Sequence, residues 1–296
     1  MSQGADSVKS ILFALGAKFV AAAITSSGAM LAEAIHSLAD TGNQVLLLIG
    51  INRAKRPPTP DYPLGFGKSI YFWSFLVALI LFSVGGMFSI YEGWHKLAHP
   101  EPLTSPWIAI GVLVFAIIAE SISTWGCLRE VNKVRHGRSI LRWFRESRQS
   151  ELLVVLGEDT AALLGLVVAL GAVGLTMLTG NPTYDAVGSI CIGILLVLVA
   201  VFVGIEVKAL LIGQSVEPHV EREMREFLSA RAEIATLLSM PSIQLGDRAM
   251  VAIKARMLDP GTAANALIDA INVVEVAFRA RFPEVQWLFF ESDHVV

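Results

Sequence analysis

A polar stripe interrupts an apolar stretch of the sequence between Leu31 and Gln44, which reads LAEAIHSLADTGNQ. The polar residues recur at steps of three and four, the spacing that returns to one face of an α-helix. They are Glu33, His36, Asp40 and Asn43. The imidazole of His36 and the carboxylate of Asp40 lie four residues apart, so they point into the same space and suit a divalent cation. This pattern predicts one half of a metal site.

Further acidic residues occur in two other apolar segments. Glu158 and Asp159 stand in ELLVVLGEDTAALLG, and Glu120 stands in FAIIAESISTW. Ionisable side chains at membrane depth are costly, and they usually face a cavity or one another along a substrate path. For Glu33, Asn43 and Glu120 taken singly, an ordinary interhelical hydrogen bond is an equally good interpretation. His36, Asp40 and Asp159 together favour a metal site, and a set of one imidazole with carboxylates prefers zinc, manganese or iron(II) to copper(I).

The composition indicates a membrane protein. Of 296 residues, 54% are hydrophobic and only 17% are charged, far from a soluble average. Spans of about 20 apolar residues cross a bilayer, and the sequence predicts them at 8–25, 30–52, 69–92, 104–128, 151–179 and 184–211. The net charge of -3 provides no basic field for nucleic acid, so that partner is excluded. Cys127 and Cys191 are isolated, which predicts neither a disulfide framework nor a thiolate cluster.

The basic residues predict the orientation of these spans. They are concentrated in the connections between spans two and three and between spans four and five, whereas the opposite loops contribute only Lys96. By the positive-inside rule, both termini and the two basic connections lie in the cytoplasm. We therefore expect an integral, multi-pass protein, for which a bacterial inner membrane is the predicted location.

A change in composition after residue 213 predicts a separate domain. Residues 1–213 form the predicted transport domain of six membrane helices, and residues 214–296 a cytoplasmic domain. EPHVEREMREFLSARAEI is charged and helical by period, with Pro218 in the first turn. Strands follow at 241–245 and 250–257, joined by a turn at 246–248, then a helix around 262–282 and the strand VQWLFF. The order αββαβ predicts a small ferredoxin-like α+β sandwich, which dimerisation would help to bury.

These features resemble the cation diffusion facilitator family of divalent metal transporters. The resemblance lies in HSLAD of span two, EDTAALLG of span five, the segment PLGFGK after the first basic connection, and the αββαβ tail. It covers nearly the whole chain, and is greatest with a branch that has a GED or LED triplet in span five. It implies a homodimer that exports zinc, or else manganese, iron or cobalt, from the cytoplasm in exchange for protons. The site would take four ligands, two from span two and two from span five.

One departure from the family pattern concerns the fourth ligand. His36 and Asp40 match the motif of span two and Asp159 matches its counterpart in span five, but Val155 occupies the remaining position and has no donor atom. The resemblance leaves several replacements open. They are Glu158, Asn43, Glu33, Glu120 and water.

Two accessory sites of the family are also altered. Tyr62 and Phe66 occupy the positions of histidines that hold an accessory zinc in many members, so that site is predicted to be absent. In the tail, Glu291 stands where a histidine is usual. Glu291, Asp293 and His294 are the candidates for a regulatory site, which would prefer a harder metal than zinc. The alternative is that they are solvated residues at a chain end.

Two other functional classes can be weighed against transport. A membrane-embedded metal sensor or scaffold would bind metal without moving it, and the sequence leaves this alternative open. A metal-dependent hydrolase is disfavoured, because the chain has neither HExxH nor GxSxG and no second histidine beside His36. The chain is therefore predicted not to be an enzyme. Its partners are a divalent cation, protons and membrane lipid.

Overall fold

The computed structural model describes residues 42–100, 106–258 and 264–293. The chain divides into two compact units. The first unit comprises the described part of Met1–Ile49 together with Leu76–Trp125 and Glu158–Ala200. The second unit comprises Gly50–Phe75, Gly126–Gly157 and Val201–Val296.

Most of the described chain before residue 230 is helical. In chain order the elements are α1 (42–54), α2 (Ser69–Ile80), a π-helical segment (Leu81–Met87), α3 (Phe88–Ala98), α4 (Pro106–Val134), α5 (Ile140–Glu146), α6 (Ser150–Thr179), α7 (Thr183–Ile212) and α8 (Pro218–Ser229). Pro218 stands in the first turn of α8 as predicted, where its missing N–H is not needed.

Four helical stretches in the described residues are long and apolar enough to cross a membrane. They are Ser69–Ala98, Ala109–Val134, Ser150–Thr179 and Thr183–Ile212, and they correspond to predicted spans three to six. Predicted span one lies outside the described residues, and the end of span two falls within α1. The fold is thus that of a helical membrane-type protein with a small C-terminal sheet.

Glycine brings the helices of the first unit into direct backbone contact. A Cβ atom built on Gly193 of α7 would lie 2.7 Å from the backbone nitrogen of Ile90 and 2.8 Å from the carbonyl oxygen of Gly86. Large apolar side chains on other helices of the first unit stay exposed, such as Phe115 of α4 at 70%. Close approach at small residues is the usual means of joining helices where lipid removes the hydrophobic drive between them.

The C-terminal region of the second unit is a four-stranded sheet covered on one face by two helices. Its elements after α8 are β1 (Ile234–Ser239), β2 (Ser242–Leu245), β3 (Arg248–Met257), α9 (Ala264–Arg281) and β4 (Val285–Ser292). β1 and β2 pair antiparallel with successive halves of β3, and β4 pairs parallel with its other edge. Alternate residues of β3 are buried against α8 and α9, as expected of a sheet with one covered face.

The first strand of this sheet differs from the prediction. The α8 helix ends at Ser229 and does not continue to residue 234, and a strand at Ile234–Ser239 precedes the predicted one. Met240 and Pro241 interrupt the edge between β1 and β2, since proline has no N–H to donate. Pro241 still accepts a hydrogen bond from the Ala252 amide at 3.0 Å. The helix prediction ran a few residues too far, and the strand itself was missed because pairing with β3 decides the conformation of this segment.

Two arginines of the second basic connection, the buried Arg148 and the half-buried Arg138, contact the segment before α8. Arg148 is 6% exposed and donates to the carbonyl oxygens of Ser215 at 2.6 Å and Glu146 at 2.8 Å. Arg138 pairs with Glu217 at 2.9 Å. Burial lowers the pKa of Arg148 below its ordinary value, and its bonds to carbonyl oxygens offset the cost of enclosing the charge.

Candidate metal centre

Asp159 is a buried carboxylate in the middle of an apolar helix. It is 9% exposed on α6, which consists mostly of leucine, valine, alanine and glycine on either side of the polar residues Glu158, Asp159 and Thr160. The hydroxyl of Ser123 on α4 donates to Asp159 Oδ2 at 3.4 Å. A carboxylate in an apolar helix is expected to face other polar groups or a substrate path, and the role of Asp159 as a metal ligand stays a prediction.

Glu158 joins α6 to α1. Its Oε1 atom accepts a hydrogen bond of 2.6 Å from the Asn43 side-chain amide, and Asn43 is almost fully buried. The Oδ1 atom of Asn43 is buried and has no hydrogen-bond partner within the described residues. Two residues predicted as alternative fourth ligands are therefore in contact. The helix that carries Asn43 directly follows the His36–Asp40 motif in the sequence.

The other candidate residues of the site are either half-buried or outside the described residues. Val155 is half-buried on α6, one turn before Asp159, and offers no donor atom. Glu120 is half-buried on α4. Glu33, His36, Asp40 and, in the tail, His294 lie outside the described residues. In the part of the chain that the structure describes, no group of three or more His, Cys, Asp or Glu side chains could hold a metal ion.

The predicted regulatory residues of the tail lie beside a lysine. Lys254 Nζ is 2.6 Å from Asp293 Oδ2 and 3.8 Å from Glu291 Oε1. The hydrogen bond to Asp293 is the main cause that raises the pKa of Lys254. The ammonium group therefore supplies positive charge where a bound cation would otherwise do so. A metal site here stays a prediction, and it would have to displace Lys254.

The PLGFGK segment packs on the turn between β2 and β3, within the second unit. A Cβ atom on Gly67 would collide with the carbonyl oxygen of Leu245, and the Gly246 amide donates to the Tyr71 hydroxyl at 3.0 Å. The rings of Tyr62 and Phe66, which occupy the family's histidine positions, are 4.5 Å apart. The segment thus has a structural role in docking the turn.

Ser123 was not identified from the sequence as part of the site. A signal was present, since Ser123 follows Glu120 by three residues and therefore shares its face of α4. Hydroxyl residues in membrane helices commonly return a hydrogen bond to their own backbone, as Thr124 does to the Glu120 carbonyl oxygen at 2.8 Å. Because this local bond is common, the hydrogen bond from Ser123 to Asp159 could not be predicted from the sequence.

Comparisons with known proteins agree with this architecture. Residues 7–212 match the model of the cation efflux transmembrane domain. The chain is 35% identical over 231 residues to the human mitochondrial proton-coupled zinc antiporter SLC30A9, covering 77% of this chain and 41% of the relative. It is 30% identical over 224 residues to metal tolerance protein C4 of Arabidopsis thaliana, covering 75% and 49% respectively.

A bacterial relative matches at lower identity. The magnetosome protein MamB of Magnetospira sp. is 26% identical over 204 residues, which cover 69% of this chain and 64% of that protein. The chain spans about two fifths of the human relative and about half of the plant one. The family match itself extends over more than half of the chain and includes α1 to α7. On this ground the chain belongs to the cation efflux family, as the motifs of spans two and five predicted.

Proposed function

We propose that this protein is a divalent metal efflux transporter that moves zinc out of the cytoplasm in exchange for protons. Manganese, iron(II) and cobalt are the alternative substrates. The observation that carries the proposal is the buried Asp159 carboxylate on an apolar helix, beside Glu158, which binds Asn43 of α1. Membership of a transporter family and the name of the zinc antiporter relative support it. A transport role also accounts for the lack of enzyme motifs.

The ligands of the proposed site are His36, Asp40 and Asp159. Asp40 precedes Asn43 by three residues, and neighbours at that spacing share a helical face. The contact between Asn43 and Glu158 therefore supports a site assembled from these two helices. The Asn43 Oδ1 atom is a candidate for the fourth donor, because it is buried and has no hydrogen-bond partner in the described residues. Glu158, Glu33, Glu120 and water remain alternatives.

The proposed mechanism follows from electrostatics. A divalent ion that leaves water must exchange its hydration shell for ligands, and two carboxylates supply the negative charge that offsets this desolvation. Ligands bind metal only when deprotonated, so metal and protons compete for the same atoms. His36 is the ligand whose ordinary pKa lies nearest neutrality. Opening the site alternately to the two sides of the membrane would then exchange metal for protons.

The remaining architecture is also proposed. Six membrane spans would occupy residues 1–213, with both termini in the cytoplasm and a ferredoxin-like domain at 214–296. The sheet supports this domain type, because β1 and β2 together act as the first strand of an αββαβ order. We expect a homodimer. The bacterial inner membrane is the predicted location, whereas the name of the human relative places that protein in mitochondria.

The test measures metal uptake into lipid vesicles that contain the purified full chain, under a pH gradient. Zinc, manganese, iron(II) and cobalt are compared, with the wild type and Asp159→Asn. The variant keeps the shape of the side chain and removes its charge, so uptake should fall to the level of protein-free vesicles. Thr160→Val is the matched control, because Thr160 is an exposed neighbour on the same helix, and it should retain wild-type uptake.

Each outcome bears on the assignment. Wild-type metal uptake by the Asp159→Asn variant would show that Asp159 is not a metal ligand. Loss of uptake in His36→Ala and Asp40→Ala, with normal insertion into the membrane, would support the ligand set. Metal binding by the wild-type vesicles without any uptake would favour the sensor or scaffold instead.

A further inference from the structure

The short helix α5 carries exposed apolar side chains next to an exposed arginine. Trp143 and Phe144 are buried, whereas Ile140 and Leu141 are exposed, Leu141 at 59%. Arg145 is exposed as well. It follows Leu141 by four residues, so the two side chains share one face of the helix. This face belongs to neither the sheet core nor the metal centre proposed above.

The buried side of α5 packs on α7, within the second unit. The rings of Phe144 and Phe202 are stacked, with their centroids 4.9 Å apart. Arg145 interacts electrostatically with Glu206. Glu206 follows Phe202 by four residues, so both contacts are made with one face of α7. The helix α5 therefore lies beside the turn of α7 that contains Phe202 and Glu206.

The sequence of α7 indicates how deep this turn lies in a bilayer. Asp185 and Glu206 enclose a run without any charged residue, 186–205. At 1.5 Å per residue this run is about 30 Å long, which is the thickness of the hydrocarbon core. Its side chains Leu198 and Ile205 are exposed, as expected of a surface that contacts lipid. Glu206 thus marks the level at which acyl chains give way to headgroups, and α5 lies at that level.

The connection that contains α5 has a large excess of positive charge. Residues 129–148 include seven arginine and lysine side chains and only two glutamates. Arg138 and Arg148 bind the segment before α8, whereas Arg145 is exposed on the face of Leu141. In helices at a membrane surface, the apolar side chains enter the acyl region and the arginines reach the phosphates. A basic segment at this level attracts anionic lipid.

A second copy of the chain fits this face less well than lipid does. In a two-fold dimer the same surface patch of each subunit meets its counterpart. Two copies of the basic connection would then face each other, and like charges placed together oppose association. Anionic headgroups offer the opposite charge, and the acyl chains below them accept Leu141.

We propose that α5 lies in the membrane surface and binds anionic phospholipid. Ile140 and Leu141 enter the acyl region, and Arg145 binds the phosphate groups. Trp143 and Phe144 hold the helix on α7 at this depth. The proposal requires that the protein is inserted in a membrane, but it does not require that the protein transports metal.

The test measures the environment of a spin label on residue 141 of the full chain in lipid vesicles. Leu141→Cys is made after Cys127→Ala and Cys191→Ala have removed the native thiols. In vesicles of phosphatidylcholine mixed with phosphatidylglycerol, the label should collide readily with oxygen, which concentrates in lipid, and rarely with a water-soluble nickel chelate. Labels introduced by Leu198→Cys on α7 and Arg222→Cys on α8 are the lipid and water references, because both positions are exposed.

Two results would overturn the proposal. If the nickel chelate reaches the label on residue 141 as easily as the label on residue 222, this face of α5 lies in water. If neither oxygen nor the chelate reaches the label, protein covers the face, as a second copy of the chain would.

Arg145 tests the selection of anionic lipid. In the mixed vesicles, Arg145→Gln should cause the label on residue 141 to lose part of its protection from the nickel chelate. Arg225→Gln is the matched control, because Arg225 is an exposed arginine on α8 that pairs with Glu221 at 2.9 Å, and it should leave the label unchanged. Full protection of the label in the Arg145→Gln protein would refute the headgroup contact.

A measurement on the wild type avoids any question of misfolding in variants. Arg145 should react more slowly with an arginine-modifying dicarbonyl reagent in the mixed vesicles than in phosphatidylcholine alone, whereas the reactivity of Arg225 should stay the same. Peptide mass spectrometry follows each residue. Equal reactivity of Arg145 in the two kinds of vesicle would contradict the binding of anionic lipid.

Discussion

The helices of the first unit and the sheet region of the second unit are held together by different contacts. In the first unit, backbones meet at glycine, as at Gly193 against Ile90, and side chains such as Phe115 remain exposed. In the sheet region, large side chains fill a continuous core in which Phe278, Val274 and Met224 are fully buried. The hydrophobic effect assembles the second structure, whereas close packing and a few polar contacts assemble the first.

This difference explains where a polar site can be placed. A core of interlocking large side chains does not tolerate a buried carboxylate without full compensation. Helices joined at small residues leave room for a few polar groups between them, and they can shift without a large loss of buried area. Asp159 and the Asn43–Glu158 bond are found in that part of the molecule.

The largest effect on stability should come from creating a cavity in the core of the sheet region. Phe278 packs against Phe282 at 4.8 Å and Phe227 at 6.0 Å between ring centroids. Phe278→Ala should cost about 3–5 kcal/mol of stability. Hydrogen exchange should accelerate in β3 while α6 keeps its protection. Val276→Ala, at a 70% exposed position on the same helix, should behave as wild type, and equal exchange in both variants would contradict the comparison.

The next effect concerns the glycine contact in the first unit. Gly193→Ala places a Cβ atom within 3 Å of the backbone of Ile90 and Gly86, so α7 must move, at a cost of about 1–3 kcal/mol. Exchange should increase in α7 and α3 but not in β3. Gly204→Ala is the control on the same helix, because nothing lies within 4 Å of its Cβ position. A normal melting temperature for Gly193→Ala would show that the helices are not joined there.

A smaller effect is expected at the polar link between α1 and α6. Glu158→Leu leaves the buried Asn43 amide without this acceptor, whereas Glu158→Gln keeps an acceptor oxygen. Hydrogen bonds between membrane helices contribute about 0.6 kcal/mol on average and about 1.7 at most. The melting temperature in detergent should therefore fall slightly for the leucine variant and less for the glutamine variant. A fall as large as that of Phe278→Ala would mean that the first unit depends on polar contacts.

The smallest effect depends on pH and lies outside the membrane helices. Hydrogen bonds from Arg142 and then from Arg138 lower the pKa of Glu146 below its ordinary 4.5. The pKa of Glu146 is lower in the folded state than in the unfolded state, so its contacts with the two arginines stabilise the fold above pH 4.5. This stabilisation is lost as the pH falls through the folded pKa. Glu146→Gln should cost about 0.3–0.5 kcal/mol at neutral pH. Thermal melts should show this difference vanishing in acid, and a constant difference would exclude the ion pair as its cause.

Predictions from the sequence succeeded where a local pattern is enough. Apolar length located spans three to six, and alternation located β3, because burial along one helix or strand is imposed residue by residue. They missed the strand Ile234–Ser239, which is held by pairing with β3. The missed bond between Ser123 and Asp159 has the same origin, since it joins residues on different helices.

The sequence by itself determined the family, the apolar spans and the candidate ligands, because the types and spacing of His36, Asp40 and Asp159 are properties of the chain alone. It also showed that Val155 breaks the expected ligand set. Only the tertiary structure decided that Glu158 binds Asn43, that Lys254 sits between Glu291 and Asp293, and that Phe144 stacks on Phe202. Such pairings depend on how separate elements pack, and no local pattern encodes which side chains will then face each other.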